Sequence, residues 1–352
     1  MKYQTNTSTK YILLFSLLTF GIIALYSANL IFGAVEIPFK TVVNILFNDT
    51  SEDIKLSWRH IILESRLPQA TTALLAGGAL AVSGLMLQTL FRNPLAGPSI
   101  LGVSDGANLG VAMVMLYFGG SIQLMDYIPI SGYLAIIFAA LIGASLILGV
   151  IIWFSTKVNS NTMLLIVGIM IGYMTSSLIS ILNFQASTDK VHAFVMWGLG
   201  NFSGISNEKL GYFSAFILLG LFFTILLIKP LNALLLGENY ARNLGIKVRS
   251  IRVFIFIATG LLTATTTAFC GPISFIGLAV PHIARLLLGT SNHKHLVPMT
   301  ILSGSFIAML CNLLTVLPGD NQIFPLNAIT PIIGAPVIIY VILNRRNIQY
   351  FN

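Results

Sequence analysis

Apolar residues arrive along this chain in long blocks separated by short polar interruptions. Blocks long enough to cross a bilayer as helices, about 20 residues each, lie near 11–33, 67–90, 97–118, 132–154, 162–184, 210–228, 251–269, 275–290, 298–317 and 327–343. The pattern predicts ten membrane spans in an all-α, polytopic protein, with the eighth span the least well marked. The first block follows Lys2 and Lys10 and contains "YSA" at 26–28, features shared with a cleavable signal peptide. Its apolar stretch exceeds the usual 7 to 15 residues of such a peptide. A retained first span is the expectation.

The polar punctuation is unusual in "LFRNPLAGPSILGVSDGANLG", residues 90–110. Arg92, Asn93 and Pro94 predict a tight turn after the second span, and Gly97 with Pro98 delays the third helix, so polar backbone there must be satisfied by neighbouring spans. Gly102, Gly106 and Gly110 recur every four residues. That face suits close helix packing, and it equally suits a path-lining surface. "AGPSILG" at 96–102 is echoed by "CGPISFIG" at 270–277. The echo links spans three and eight, an odd offset, which predicts an inverted-topology repeat of the kind found in transporters.

Composition strengthens the membrane reading. The chain is 56% hydrophobic and 9% charged, against about a quarter charged in soluble domains. Its longest hydrophilic pieces, an outer loop at 34–65, an outer stretch at 185–209 and an inner loop at 229–250, are too short for a sizeable core of their own. Residues 1–352 therefore read as a single transmembrane domain. The net charge of +8 is distributed for topology rather than for nucleic acid. With the N-terminus inside, the inner segments hold Lys2, Lys10, Arg92, Lys157, Lys229, Arg242, Lys247, Arg249, Arg252, Arg285, Lys294, Arg345 and Arg346. The outer ones hold only Lys40, Lys55, Arg59, Arg66, Lys190 and Lys209, along with most acids: Glu36, Asp49, Glu52, Asp53, Glu64, Asp126, Asp189, Glu208 and Asp320. The positive-inside rule then places both termini in the cytoplasm.

The chemistry-bearing motifs are mostly missing. There is no phosphate loop and no H-E-x-x-H or clustered Cys/His set; Cys270 and Cys311 are too few to report a redox compartment. His293 and His295 have ligand-like spacing but flank Lys294 in a polar loop, so solvated side chains are expected. His282 follows Pro281, where a histidine satisfied by bundle partners is the default. Asp105 is the one good intramembrane acid, and among Ser104, Asn108 and glycines it reads as the cap of a broken helix. An ion-coupled secondary carrier relaying protons through Asp105 and His282 stands as the alternative class. No paired catalytic residues support an intramembrane enzyme. If this is a transporter, its energy comes from another chain.

The loop after the sixth span is distinct. "PLNALLLGENYARNLGIKVRSIRV", 230–253, contains an apolar run, Gly237, a short helix with Glu238 and Arg242 at i and i+4, and Gly245 as its stop. Such a helix fills a groove on a partner, or it lies on lipid, as Lys247, Arg249 and Arg252 would favour.

Four separated stretches now matter together: "RLPQATTALLAGGALAVSGLMLQTLFRNPLAGPSILGVSDGA" (66–107), "LGENYARNLGI" (236–246), "GPISFIGLAVPHIARLLLG" (271–289) and "IIGAPVIIYVIL" (332–343). In this order they resemble the permease subunits of binding-protein-dependent ABC importers for iron(III)-siderophores, haem and cobalamin. The resemblance implies a type II ABC importer permease fold in the cytoplasmic (inner) membrane of a bacterium. It also implies two permease subunits, identical or paralogous, around a central path, two cytoplasmic ABC ATPase subunits and an extracytoplasmic substrate-binding protein. The permease would bind no cofactor of its own and would not be an enzyme; ATP and Mg would be used by the ATPases. By the same resemblance, Gly237, Glu238, Tyr240, Ala241, Arg242, Leu244 and Gly245 belong to the coupling segment that docks into the ATPase. Asn161 and Thr162 stand at the cytoplasmic gate, and Arg66 is a docking residue for the binding protein. Two further arginine positions of the cobalamin branch fall on Gln69 and Val316. The implied cargo is a bulky metal chelate, an iron(III)-siderophore ahead of haem or cobalamin.

Overall fold

The computed structural model describes residues 7–47, 54–118, 132–158, 160–316 and 323–343. Lys2, Asp49, Glu52, Asp53, Asp126, Asp320, Arg345 and Arg346, used above for topology, lie outside the described residues. Among those described, regular structure is entirely helical. In chain order the α-helices are α1 (Thr7–Ile31), α2 (Phe39–Leu46), α3 (Leu56–His60), α4 (Leu67–Phe91), α5 (Val103–Ala112), α6 (Gly132–Lys157), α7 (Asn161–Gln185) and α8 (Thr188–Gly198). They continue with α9 (Asn207–Leu226), α10 (Ile228–Leu235), α11 (Glu238–Asn243), α12 (Val248–Cys270), α13 (Ile276–Leu288), α14 (His293–Val316) and α15 (Leu326–Leu343).

Eight helical stretches among the described residues are long and apolar enough to cross a membrane: α1, α3 running through α4, α6, α7, α9, α12, α14 and α15. The third and eighth predicted spans are built differently. The third is a 3₁₀ turn (Pro98–Leu101), then α5, then a π-helical turn (Met113–Tyr117), with a break at Gly102, φ 73°. The eighth is α13, whose 13 residues reach about 20 Å at 1.5 Å per residue, short of a hydrocarbon core of about 30 Å. A non-helical stretch ending at Phe275, φ 67°, precedes it. Each break follows one of the two Gly-Pro pairs, where a proline that donates no N–H next to a flexible glycine interrupts the helical ladder.

The loop expected at 34–65 is also corrected. Helix begins already at Leu56, eleven residues before the predicted span. Pro68 supplies the reason for its irregularity: it has no N–H for the carbonyl four residues back, and its ring crowds that carbonyl. The chain widens there into a π-helical turn, Ile61–Arg66.

α4 and α12 form the buried centre, wrapped by α14, α13, α9, α6 and α5. Lipid tails are as apolar as leucine, so burial alone does not drive helices together, and close atomic contact must. Small residues provide it. A Cβ on Gly77 would lie 2.8 Å from the carbonyl carbon of Gly304, and one on Gly304 would lie 2.6 Å from Ala81 Cβ. Gly84 of α4 sits against the Gly277 carbonyl of α13, where a Cβ would be 2.6 Å from the carbonyl carbon. That carbonyl is the one Pro281 leaves without an intrahelical N–H partner, so a glycine Cα faces an acceptor that the proline has freed. Gly106 and Gly110 pack on Gly143 and Ala139 of α6; the four-residue glycine pattern is a helix-packing seam. A second small core, around Leu30, Ile37, Val42, Ile45, Ile62 and Ala70, holds α2 at the end of the bundle where α4 begins.

Candidate functional site

At the other end of the bundle, where α4 and α6 finish and α7 and α12 start, α10 and α11 lie outside the spans. α11 is bracketed by Gly237 at φ 105° and Gly245 at φ 82°. Both are backbone conformations that L side chains rarely adopt, which explains why this short helix starts and stops where it does. Its own Ala241 is completely buried. Tyr240 of α11 and Leu244 at its end, four residues apart, are 50% and 58% exposed, and Leu236, at the end of α10 before the Gly237 break, is 47% exposed. An exposed apolar i, i+4 pair is the kind of face a helix presents to a partner's groove.

Glu238 points the other way. Its Oε1 accepts a hydrogen bond from Arg252 Nη2 at 2.8 Å and another from Asn161 Nδ2 at 2.9 Å. The i, i+4 pair with Arg242 is present but long, 3.7 Å, with Arg242 largely exposed. The sequence reading treated Arg252 only as an inner charge, yet it is 4% exposed and central. It also donates Nη1 to the carbonyls of Ser155 and Val158, at 3.4 and 3.2 Å. Arg249 Nη2 donates to Thr156 O at 2.5 Å. These two arginines meet carbonyls at the C-terminal end of α6, which carries the negative end of that helix's dipole. A signal for Arg252 existed in the sequence: an arginine one turn inside an apolar helix is expensive unless paired.

Asn161 is the first residue of α7, behind an N-cap in which Ser160 Oγ accepts the Met163 N–H at 3.4 Å. Its Nδ2 also donates to Leu90 O, near the end of α4, at 2.9 Å. Thr162 is exposed beside it. The two gate residues implied by resemblance therefore adjoin the coupling segment, and Asn161 touches it directly.

Beneath this surface lies a buried polar layer. Arg285 Nη1 donates to Gln88 Oε1 at 2.6 Å, and Gln88 Nε2 donates to Leu278 O at 3.1 Å. His282 Nε2 reaches the Pro94 carbonyl at 2.8 Å, holding the turn after α4. His293 is fully buried, which overturns the expectation of a solvated side chain. It opens α14, and Asn232 Oδ1 accepts both its backbone N–H (2.8 Å) and its Nδ1–H (3.0 Å); Nε2 lies 2.9 Å from Thr89 Oγ1. His295 is partly buried and tilts against the Tyr11 ring at 5.1 Å. Asp105 is not the expected cap: Gly102 holds the N-cap of α5 with no side-chain cap bond, and Asp105 stands in the first turn, its carboxylate against Gly172 of α7, where a Cβ would lie 2.8 Å from Oδ2.

Arg66 is at the far end of the bundle and only 6% exposed. Its guanidinium donates to the carbonyls of Leu30 (2.9 Å), Ile31 (2.7 Å) and Val35. As placed, it braces the turn after α1, and an ion pair with a binding protein requires exchanging those bonds. Gln69 and Val316 line the same cavity of about 650 Å³. A relay of amides crosses it, Gln69 to Asn312 at 3.0 Å and Asn312 to Asn29 at 2.7 Å. Among the described residues no cluster of three His, Cys, Asp or Glu side chains could hold a metal ion.

A helical membrane bundle with broken spans, glycine seams and a short helix outside the spans is the architecture of a multi-pass membrane permease. The family model of the FecCD transport family matches residues 18–344, and the chain belongs to that family. It is 33% identical to the vitamin B12 import system permease protein BtuC of Citrobacter koseri over 285 residues, 81% of this chain and 83% of that one. It is 32% identical to the hemin transport system permease protein HmuU of Yersinia pestis, covering 94% and 95%, and 31% identical to the uncharacterized ABC transporter permease protein YvrB of Bacillus subtilis, covering 98% and 96%. Its fold matches a solved structure described as an inward-facing conformation of a metal-chelate type ABC transporter, with a TM-score of 0.79, 28% identity, and coverage of 94% of this chain and 98% of that one.

Proposed function

We propose that this chain is the transmembrane permease subunit of an ATP-driven importer that brings a bulky iron(III)-siderophore into the bacterial cytoplasm across the inner membrane. The observation that carries the reading is the family match over 18–344, together with an exposed apolar pair on the short helix, Tyr240 and Leu244, suited to a partner. Two permease subunits would enclose the path, two ATPases would bind the α10–α11 segment, and a binding protein would deliver cargo at the Arg66 end. Both termini and the coupling segment then face the cytoplasm, in line with the lysine and arginine bias. Closure of the ATPases around ATP moves α11, and the two halves rock to pass the cargo. Siderophore is preferred over cobalamin because Gln69 and Val316 stand where the cobalamin branch carries arginines. The relatives named for vitamin B12 and hemin make those chelates the second reading.

The test is to tag the chain, extract it gently from its own membrane and identify stoichiometric partners by mass spectrometry, then follow uptake of labelled iron-siderophore, haem and cobalamin. Co-purifying ATPases, and uptake abolished by ATP depletion but not by a protonophore, support the proposal. Recovery of the chain alone, with uptake that collapses under the protonophore, supports the ion-coupled carrier instead. Whichever chelate accumulates decides the cargo.

A further inference from the structure

We infer that Glu238 is a joint between the docking helix and the gate, a positioning residue that ties α11 to the turn between α6 and α7 rather than a charge offered to the ATPase. The inference rests on the reading of α10–α11 as the ATPase docking segment. One oxygen, Oε1, receives both bonds: Arg252 Nη2 at 2.8 Å and Asn161 Nδ2 at 2.9 Å. These donors grip the α6–α7 turn from opposite flanks. Arg252 holds the carbonyls of Ser155 and Val158 on the α6 side, and Asn161 is the first residue on the α7 side. Asn161 extends the grip to the end of α4 through Leu90 O at 2.9 Å.

The exposure pattern separates the two jobs of α11. Tyr240, with Leu244 at the helix end, is exposed, whereas Glu238 is partly buried and bonded to the turn. Hydrogen bonds weaken steeply as the donor–acceptor distance grows, and those to an ionised carboxylate are the strong kind. A buried arginine also cannot be left without its counter-charge cheaply. α11 therefore cannot move by an ångström or so independently: either the start of α7 follows, or both bonds to Glu238 break. Arg242, four residues on and largely exposed, remains available to a partner.

The experiment uses the intact importer with its ATPases in lipid vesicles and reads three quantities for each variant: ATPase subunits retained, transport rate, and thiol labelling at Thr162→Cys with and without a non-hydrolysable ATP analogue. The native Cys270 and Cys311 are buried, which keeps background labelling low. Glu238→Gln should retain stoichiometric ATPase, lose transport at least tenfold, and make labelling at 162 unresponsive to nucleotide. Asn161→Ala breaks the same link while leaving the Glu238–Arg252 pair in place, so it should decouple in the same way even if Glu238→Gln folds poorly. Tyr240→Ala is the contrast, losing the ATPase itself. If Glu238→Gln loses the ATPase as Tyr240→Ala does while remaining folded, the partner reads Glu238 directly and the inference is overturned. A nucleotide response at 162 that survives in Asn161→Ala overturns it as well. Failure of the unmodified chain to retain any ATPase would sink the docking reading instead.

Discussion

Gly84 and Gly149 look alike in sequence, each a glycine inside an apolar helix, but the structure assigns them opposite consequences on substitution by alanine. At Gly149 nothing lies within 4 Å of an added Cβ, so Gly149→Ala gains only helix propensity, about 1 kcal/mol. At Gly84 the new Cβ would lie 2.6 Å from the carbonyl carbon of Gly277 and 3.0 Å from its Cα. Carbon contacts settle near 3.5–4.0 Å, and the Gly277 carbonyl oxygen lies nearer still, so α4 and α13 must part by more than about 1 Å. α4 cannot yield freely, because α14 and α12 pack on it as well. Overpacking of this kind costs about 1–3 kcal/mol or more, and the backbone nature of the obstacle places Gly84→Ala at the upper end. After the propensity gain, a net loss of about 2 kcal/mol remains, some 3 kcal/mol below Gly149→Ala. At roughly 2–4 °C per kcal/mol for larger chains, the two variants should differ in apparent melting temperature by about 6–12 °C. The assay is a thermal melt of the purified chain in mild detergent, followed by monodispersity on size exclusion. Equal melting temperatures for Gly84→Ala, Gly149→Ala and the parent would refute the packing argument.

Three further outcomes are expected. Tyr240→Ala or Leu244→Glu removes part of the exposed apolar pair and should weaken ATPase binding at least tenfold, the scale of an interface anchor, read by titrating purified ATPase onto permease in nanodiscs. Arg66→Lys replaces a fork that reaches three carbonyls with a single point charge; with a carbonyl left unpaired at about 1–3 kcal/mol, proteolysis near residues 32–38 should quicken while ATPase binding holds. His293→Ala leaves Asn232 Oδ1 without its Nδ1–H donor, and a loss of about 1–3 kcal/mol should appear as a lower melting temperature with no change in metal content.

Much of the bundle was legible from apolar blocks alone, because a chain in lipid must satisfy its own backbone and can do so only in helices of bilayer length or in closed barrels. The irregularities were partly legible. Gly97-Pro98 and Gly271-Pro272 announced the broken third and eighth spans, since proline's missing N–H acts within a few residues of itself. Helical extension back to Leu56 was not announced, because "SWRHIILESR" has the polarity of a loop and becomes helical through its continuity with α4. His293 misled for a related reason: flanked by Lys294 and Asn292, it reads as solvated, and only Thr89 and Asn232, brought from distant positions, bury it.

The candidate site divides along the same line. By itself the sequence determined that a short helix bounded by Gly237 and Gly245 stands outside the spans, since glycine's tolerance of positive φ and the polarity of "ENYARN" are local properties. It also determined that the chain lacks a phosphate loop, which is a matter of residue order. Only the tertiary structure decided where each charge points. Glu238 and Arg242 make an equally good i, i+4 pair on paper, but the nearer partner of Glu238 is Arg252, a turn inside the next span, and Asn161, from a helix 77 residues earlier in the chain. Such pairings depend on which helices the glycine seams allow to touch, and hydrophobic periodicity records only that a helix has neighbours, not which ones.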